Sequence, residues 1–375
     1  MPSVIAIEAK PVEFRGVDSS FLHLYLVKTE TDQQGNVISE EVIRGSLANA
    51  DDLETIAGGN LATSPDRRGS DTPEERHRTV LDIGSRDAED VWQIMVQHAA
   101  NIDKADLRYS YDIFRELPGY DLNSNSVVAS VLHSAGLDLS TSLPVGVTRS
   151  EAPLYGQLQY MNVDDALFGT DRNDWILGGV GDDRLYGRGG NDRLYGEDGN
   201  DRLHGSNEND RLSGGDDNDN LDGRAGNDTV YGGTGNDRLY GSFGDDYLSA
   251  GSGNDRLYGE SGADILRSGS GKDAFVYNNA PNSAAEIDTI RDFSVANDTF
   301  WLNNRAFTGL GNEGQLKSSA FRIGTAAQDA TDRVIYDRDG GVLYYDEDGN
   351  GATGQVAVAK LSTNLKMTSL DVLVI

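Results

Sequence analysis

The chain has 375 residues with 62 acidic against 32 basic side chains, a net charge of −30; that is room for two or three domains, and a sign that excludes a nucleic-acid partner, since phosphate binding needs a positive surface. It contains no cysteine, which removes disulfides, thiolate metal sites and a cysteine nucleophile. Sixteen tyrosines and a regularly recurring leucine argue against a disordered acidic tail, so a divalent cation accounts for the acid better.

The opening MPSVIAIEAKPVEF lacks the basic start and uninterrupted apolar run of a secretory leader. No run of 18 or more apolar residues occurs, so no transmembrane segment is expected. Residues 1–140 read as an α/β (α+β) domain. Phe21 to Val27 and Glu41 to Gly45 are expected strands, joined through the turn Asp32 to Asn36. The polar stretch from Ser46 to Arg78 reads as a long surface loop. Asp87 to Ile102 has apolar residues at Val91, Ile94, Met95 and His98/Ala99, the spacing of an amphipathic helix. A second helix is expected over Ser124 to Ser134 with Gly136 as its stop, and residues 141–162 read as a linker.

From residue 163 to 277 a nine-residue period governs the chain. Aspartate recurs at Asp165, Asp174, Asp183, Asp192, Asp201, Asp210, Asp219, Asp228, Asp237, Asp246, Asp255, Asp264 and Asp273, each followed two positions on by an apolar residue such as Leu185, Leu239 or Phe275. The unit is GGxGxDxLx, as in Gly178 to Tyr186. A three-residue strand such as Arg184-Leu185-Tyr186 points its middle side chain inward and its neighbours outward. The glycines permit a turn closed to residues that carry a Cβ. Turn carbonyls and the aspartate then offer hard oxygen ligands of the kind Ca²⁺ takes at about 2.3–2.6 Å. The expected ligands are Asp174, Asp183, Asp192, Asp201, Asp228, Asp237, Asp246, Asp255, Asp264 and Asp273, with the turns of Gly179, Gly181, Gly190, Gly199, Gly226, Gly235, Gly244, Gly253 and Gly262. Alternating turns put sharing partners 18 residues apart. Glu208 and Asp217 replace the fourth-position glycine, and Ala250 and Ser268 the first, so fewer ions than repeats are expected, with the weakest sites around Asn207 to Asp219.

This repeat resembles the calcium-binding nonapeptide unit of RTX proteins, which implies a right-handed parallel β-roll folded by several structural Ca²⁺ ions. Residues 272–375 resemble the C-terminal part of RTX proteins exported by type I systems, through Asp273 to Tyr277, Asp288 to Phe293 and Leu343 to Gly351, and through the ending Asp371-Val-Leu-Val-Ile375, with residues 278–375 as the C-terminal domain. The resemblance implies a β-rich cap with an uncleaved export signal, the type I secretion machinery as partner, and an extracellular location outside a Gram-negative bacterium. Asp346-x-Asp348-x-Asn350-Gly351 fits half of an EF-hand loop, but Ala357 stands where the bidentate glutamate belongs, so a hairpin turn is expected.

Neither HExxH nor a GxSxG elbow occurs. One pair remains: His23 on the first expected strand and Ser124 opening a helix about a hundred residues later. This pattern weakly resembles circularly permuted papain-like hydrolases, with serine in place of cysteine. It implies Ser124 as nucleophile and His23 as base; the competing reading makes Ser124 an N-cap and His23 a half-buried strand residue. The expected function is a secreted calcium-binding repeat protein. An extracellular amide or ester hydrolase or acyltransferase, and an adhesion or matrix scaffold, are the alternatives.

Overall fold

Five strands of the N-terminal region form one antiparallel sheet in the computed structural model: β1 (Ser3–Phe14), β2 (Val17–Thr31), β3 (Val37–Asn49), β4 (Asp52–Asn60) and β5 (His77–Val80), in the order β4-β3-β2-β1-β5. The described residues are 3–14, 17–34, 37–49, 52–60, 77–81, 83, 85–104, 131–135, 164–280, 286–351 and 353–375. The β2–β3 hairpin matches the expected strand pair. The loop expected over 46–78 is corrected at 46–49, 52–60 and 77–78, the rest lying outside the described residues: β3 runs on to Asn49 and β4 pairs with it, Gly45 facing Thr55, while β5 returns to β1. Strand pairing supplies what local composition did not, because partners for these backbone groups lie elsewhere in the chain.

Helix α1 (Ala88–Lys104) starts where Asp87 Oδ1 accepts the Glu89 N–H at 2.9 Å, an N-cap that satisfies one of the free amides of the first turn. Its expected stripe, Val91, Ile94, Met95 and Ala99, is buried, together with Trp92. Trp92 Nε1 donates to Glu41 at 2.6 Å, and the buried Lys28 pairs with Glu89 at 2.6 Å and with its cross-strand neighbour Glu41 at 3.5 Å. Of the second expected helix the described part is 131–135, where Val131 and Leu132 are buried.

The nine-residue register folds as a parallel β-solenoid from residue 166 to 275. Strands 18 residues apart stack in register, so Leu203, Leu221, Leu239, Leu257 and Phe275 form one column, and Leu194, Leu212, Val230, Leu248 and Leu266 the other. All are 0–1% exposed. Residues at the neighbouring positions face outward and form ladders of their own, with Tyr186 stacked on His204 at 5.1 Å and Tyr240 on Tyr258 at 4.3 Å.

C-terminal strands continue both faces. Thr299–Leu302 lies parallel to Ala274–Tyr277, and Val372–Val374 lies parallel to it in turn. Asp288–Ile290 follows Ile265–Ser270 on the other face. Phe275, Phe293 and Phe300 fill the core at this end, with centroids 5.0–6.0 Å apart. Val342–Tyr345 and Val356–Lys360 pair antiparallel, so the Asp346–Gly351 segment is the expected hairpin connection. The chain divides into two compact units, Met1–Leu185 and Tyr186–Ile375.

Leu239→Ala should destabilise the calcium-loaded chain by about 2–5 kcal/mol, as buried leucine truncations do, while Arg238→Ala on the outer face should change stability by less than about 0.5 kcal/mol. Denaturant titration followed by far-UV ellipticity checks both, and equal effects would contradict the assignment of inward and outward positions.

Candidate metal centre

Each turn of the roll carries two residues in the left-handed region, at the second and fourth positions of the repeat. At the fourth, Gly226, Gly235, Gly244 and Gly253 have φ between 126° and 138°. A Cβ on Gly244 would lie 1.8 Å from Gly226 O, and one on Gly235 1.8 Å from Asp217 O. Glycine is therefore required there twice, for its conformation and for the close approach of the coil below. Gly179, Gly181, Gly190, Gly199 and Gly262 also have positive φ. Glu208 and Asp217 hold the fourth position at φ 65° and 74°, and the Glu208 carboxylate accepts the Gly190 N–H at 3.2 Å.

The aspartates form two continuous ladders. Asp192 N–H donates to Asp210 Oδ1 at 2.8 Å, Asp210 to Asp228 and Asp228 to Asp246 at 2.7 Å, and Asp246 to Asp264 at 2.8 Å. On the opposite side Asp201, Asp219, Asp237, Asp255 and Asp273 are linked in the same way at 2.8–3.0 Å. Each carbonyl is also occupied, as where Asp192 O accepts Arg211 N–H at 2.9 Å. Asparagines at the fifth position run a ladder in the reverse sense: Asn236 N–H donates to Asn218 Oδ1 and Asn254 N–H to Asn236 Oδ1, both at 2.8 Å. They recur in the same nine-residue register, one residue before the aspartate, and an uncharged side chain there carries no signal of its own in the sequence.

Along the middle of both ladders one carboxylate oxygen of each rung is left over. Oδ2 of Asp210, Asp219, Asp228, Asp237, Asp246 and Asp255 is buried with no hydrogen-bond partner. Burial pushes these carboxyls up, Asp219 to about 8, Asp210, Asp246 and Asp255 to about 7, and Asp228 and Asp237 to about 6. A Cβ on Gly214 would lie 2.1 Å from Asp219 Oδ2 and 2.7 Å from Gly232 O, and one on Gly205 2.4 Å from Asp210 Oδ2 and 2.7 Å from Gly223 O. Carboxylate and carbonyl oxygens thus face one small volume that the first-position glycine keeps open. Among the described residues no three carboxylate or imidazole side chains converge on one point. A cation here takes much of its shell from backbone carbonyls, the donor set of a hard ion such as Ca²⁺. The donors fit that ion.

The expected ligands Asp183, Asp192, Asp201, Asp228, Asp237, Asp246, Asp255, Asp264 and Asp273 are all buried on these ladders. Asp210 and Asp219, expected to be weak, occupy the same position with the same leftover oxygen; what distinguishes their repeats is the backbone of the turn. Asp174 instead closes its own turn, accepting from Thr170 N–H at 2.6 Å and Thr170 Oγ1 at 3.0 Å. Two rungs lie beyond the periodic segment. Asp288 Oδ1 accepts Asp264 N–H at 3.1 Å and Asp298 Oδ1 accepts Asp273 N–H at 3.3 Å, and burial holds Asp288 well above the usual carboxylate range. Each is followed two residues on by an apolar side chain, Ile290 and Phe300, a signal the interrupted register hid. His23 lies on β2 opposite Lys10, and Ser124 lies outside the described residues.

Residues 168–203, 204–239 and 240–274 match the RTX calcium-binding nonapeptide repeat family (4 copies). Residues 168–274 are RTX calcium-binding repeats. A solved structure, the solution structure of the AlgE6R3 subunit from the Azotobacter vinelandii mannuronan C5-epimerase, is 26% identical over 52% of this chain and 70% of that chain, with a TM-score of 0.11. A search of curated proteins gives no match. The resemblance of residues 1–140 to papain-like hydrolases is not shown by these comparisons.

Two outcomes are expected of the RTX turns. The ladder carboxyls have a folded pKa of about 6 to 8 against 3.8 in the open chain. The cation-free roll therefore binds protons that the unfolded chain releases, and its stability falls as pH rises through that window. In excess chelator the roll's β-signal should be stronger at pH 5 than at pH 8, and saturating Ca²⁺ should remove the difference; a cation-free roll more stable at pH 8 would contradict the burial argument. Gly244→Ala should raise the calcium midpoint for folding, and Glu208→Gly should lower it, both read by ellipticity during a Ca²⁺ titration.

Proposed function

We propose that this is an exported protein whose RTX roll binds calcium and folds only when calcium is available outside the cell. The observation that carries the reading is the column of buried, unpaired Oδ2 atoms of Asp210, Asp219, Asp228, Asp237, Asp246 and Asp255. Ionised carboxylates cannot stay desolvated beside one another without a countercharge, and the roll offers them none from its own basic side chains, whose arginines at the seventh position are half-buried or exposed. Binding of an ion that the unfolded chain holds weakly then becomes folding free energy. Modules that use hard oxygen ligands at extracellular calcium bind at roughly 10⁻⁴–10⁻³ M, so the same chain stays open at the far lower concentration of a cytoplasm. That order suits a route that exports an unfolded chain, in line with the C-terminal resemblance to type I substrates. Ca²⁺ is structural in this reading, held by the ladder aspartates and turn carbonyls, and the N-terminal region is the cargo.

Far-UV circular dichroism of the full chain should show the roll's β-signal appearing cooperatively on going from excess chelator to millimolar Ca²⁺. Identical spectra in the two conditions at neutral pH would overturn calcium-driven folding. Export is tested separately: removing the last fifty or so residues should retain the protein in the cell, and removing residues 1–140 should not. Normal secretion of the C-terminally shortened chain would refute a C-terminal address.

A further inference from the structure

The first coil of the roll meets helix α1 through Asp165, Phe168 and Arg172, and both belong to the Met1–Leu185 unit. The outermost strand on one face of the roll is β6 (Ala166–Phe168). An uncovered edge strand offers a row of backbone donors and acceptors to any other chain. Gln97 covers this one: its carboxamide accepts the Phe168 N–H at 2.9 Å and donates to the Phe168 carbonyl at 3.0 Å, the two bonds that a further strand would make. One residue on, His98 Nδ1 meets Asp165 Oδ2, with both side chains at most 2% exposed. Asp165 is the first rung of its ladder. Its own N–H donates to Asp183 Oδ1 at 2.6 Å, but 18 residues earlier the sequence has Val147 and no aspartate to continue the series. The imidazole meets Asp165 Oδ2, while Asp165 Oδ1, the oxygen that accepts the preceding rung elsewhere in the ladder, has no hydrogen-bond partner.

The other end of the helix is fastened to the same coil. Arg172 reaches Asp87 at 2.9 Å and Asp90 at 3.1 Å. Residues 87, 90, 97 and 98 fall on one stripe at helical spacing, and residues 89 and 92, which bind the sheet through Lys28 and Glu41, on another. Helix α1 is thus fixed to the N-terminal sheet along one face and to the first coil along the next.

We propose that α1 is the N-terminal cap of the roll, with Gln97 closing edge strand β6 and His98 ending the aspartate ladder at Asp165, so that the first coil is already folded in the absence of calcium and offers a formed edge to the coils that follow. The second half of this statement rests on calcium-driven folding of the later coils, and the test separates the two.

Hydrogen–deuterium exchange of the full chain in excess chelator, read by mass spectrometry, should show residues 164–180 protected to a degree comparable with β1 while residues 202–260 exchange as an open chain. If residues 164–180 exchange as fast as 202–260 while β1 stays protected, the cap is wrong. If all three segments are protected, calcium-driven folding fails and the cap stands. Gln97→Ala and His98→Ala should each speed exchange at residues 166–168, by up to about tenfold, the scale of a lost hydrogen bond, and leave β1 unchanged; Gln93→Ala, on an exposed part of the helix, should do neither. Unchanged exchange at 166–168 in both cap variants would overturn the assignment. Should either variant also loosen β1, the exchange pattern of the unaltered chain decides.

Discussion

The roll is governed by a column of buried carboxylates, from Asp210 to Asp255, that no basic side chain among the described residues pairs with. From Asp210 to Asp255 each rung uses its backbone N–H, its carbonyl and Oδ1 to lock onto the neighbouring coil, which leaves Oδ2 facing, at Asp210 and Asp219, the first-position glycine of its own repeat. Water cannot solvate that oxygen, and the surrounding donors are already committed. The oxygens gathered around each turn are the donor set of a hard cation, which satisfies several of them at once.

The same column explains features that look unrelated. A first-position glycine is needed because any Cβ would enter the space that the leftover oxygen and a carbonyl share. The leucine columns contribute burial on every coil, yet that burial is opposed by repulsion between like charges, so neither term alone decides whether the roll forms. Degenerate turns at Glu208 and Asp217 alter the backbone and not the carboxylate, with positive φ on residues that carry a Cβ. They tune the turn while the ladder above and below runs on.

Both ends of such a stack need closing, and the chain closes them differently. At the C-terminal end the two faces continue into Thr299–Leu302 and Asp288–Ile290, phenylalanines replace leucine in the core, and Asp288 and Asp298 add one more rung to each ladder. At the N-terminal end a helix does the work with two side chains, a carboxamide that imitates a strand and an imidazole that meets the last carboxylate. Parallel stacking creates exposed backbone at its edges, and on the face that ends in β6 the Gln97 carboxamide takes up the backbone bonds of Phe168.

The nine-residue register by itself determined the strand, turn, inward leucine and aspartate of every repeat, because each repeat builds its turn from its own residues and needs only an identical neighbour. The amphipathic spacing of residues 87–102 likewise located α1, since a helix is made from near neighbours. The tertiary structure alone decided the rest. β4 became a strand by pairing with β3, and β5 by pairing with β1. Asp288 and Asp298 joined the ladders although the segments before them break the period. His98 found Asp165 and Gln97 found Phe168 across 67 and 71 residues. Which oxygen of each aspartate is spent and which is left for a cation also appeared only once the coils were stacked. A period encodes what each residue makes with its neighbours in sequence, whereas burial, edge closure and the leftover valence of a carboxylate come from segments the chain brings together from a distance.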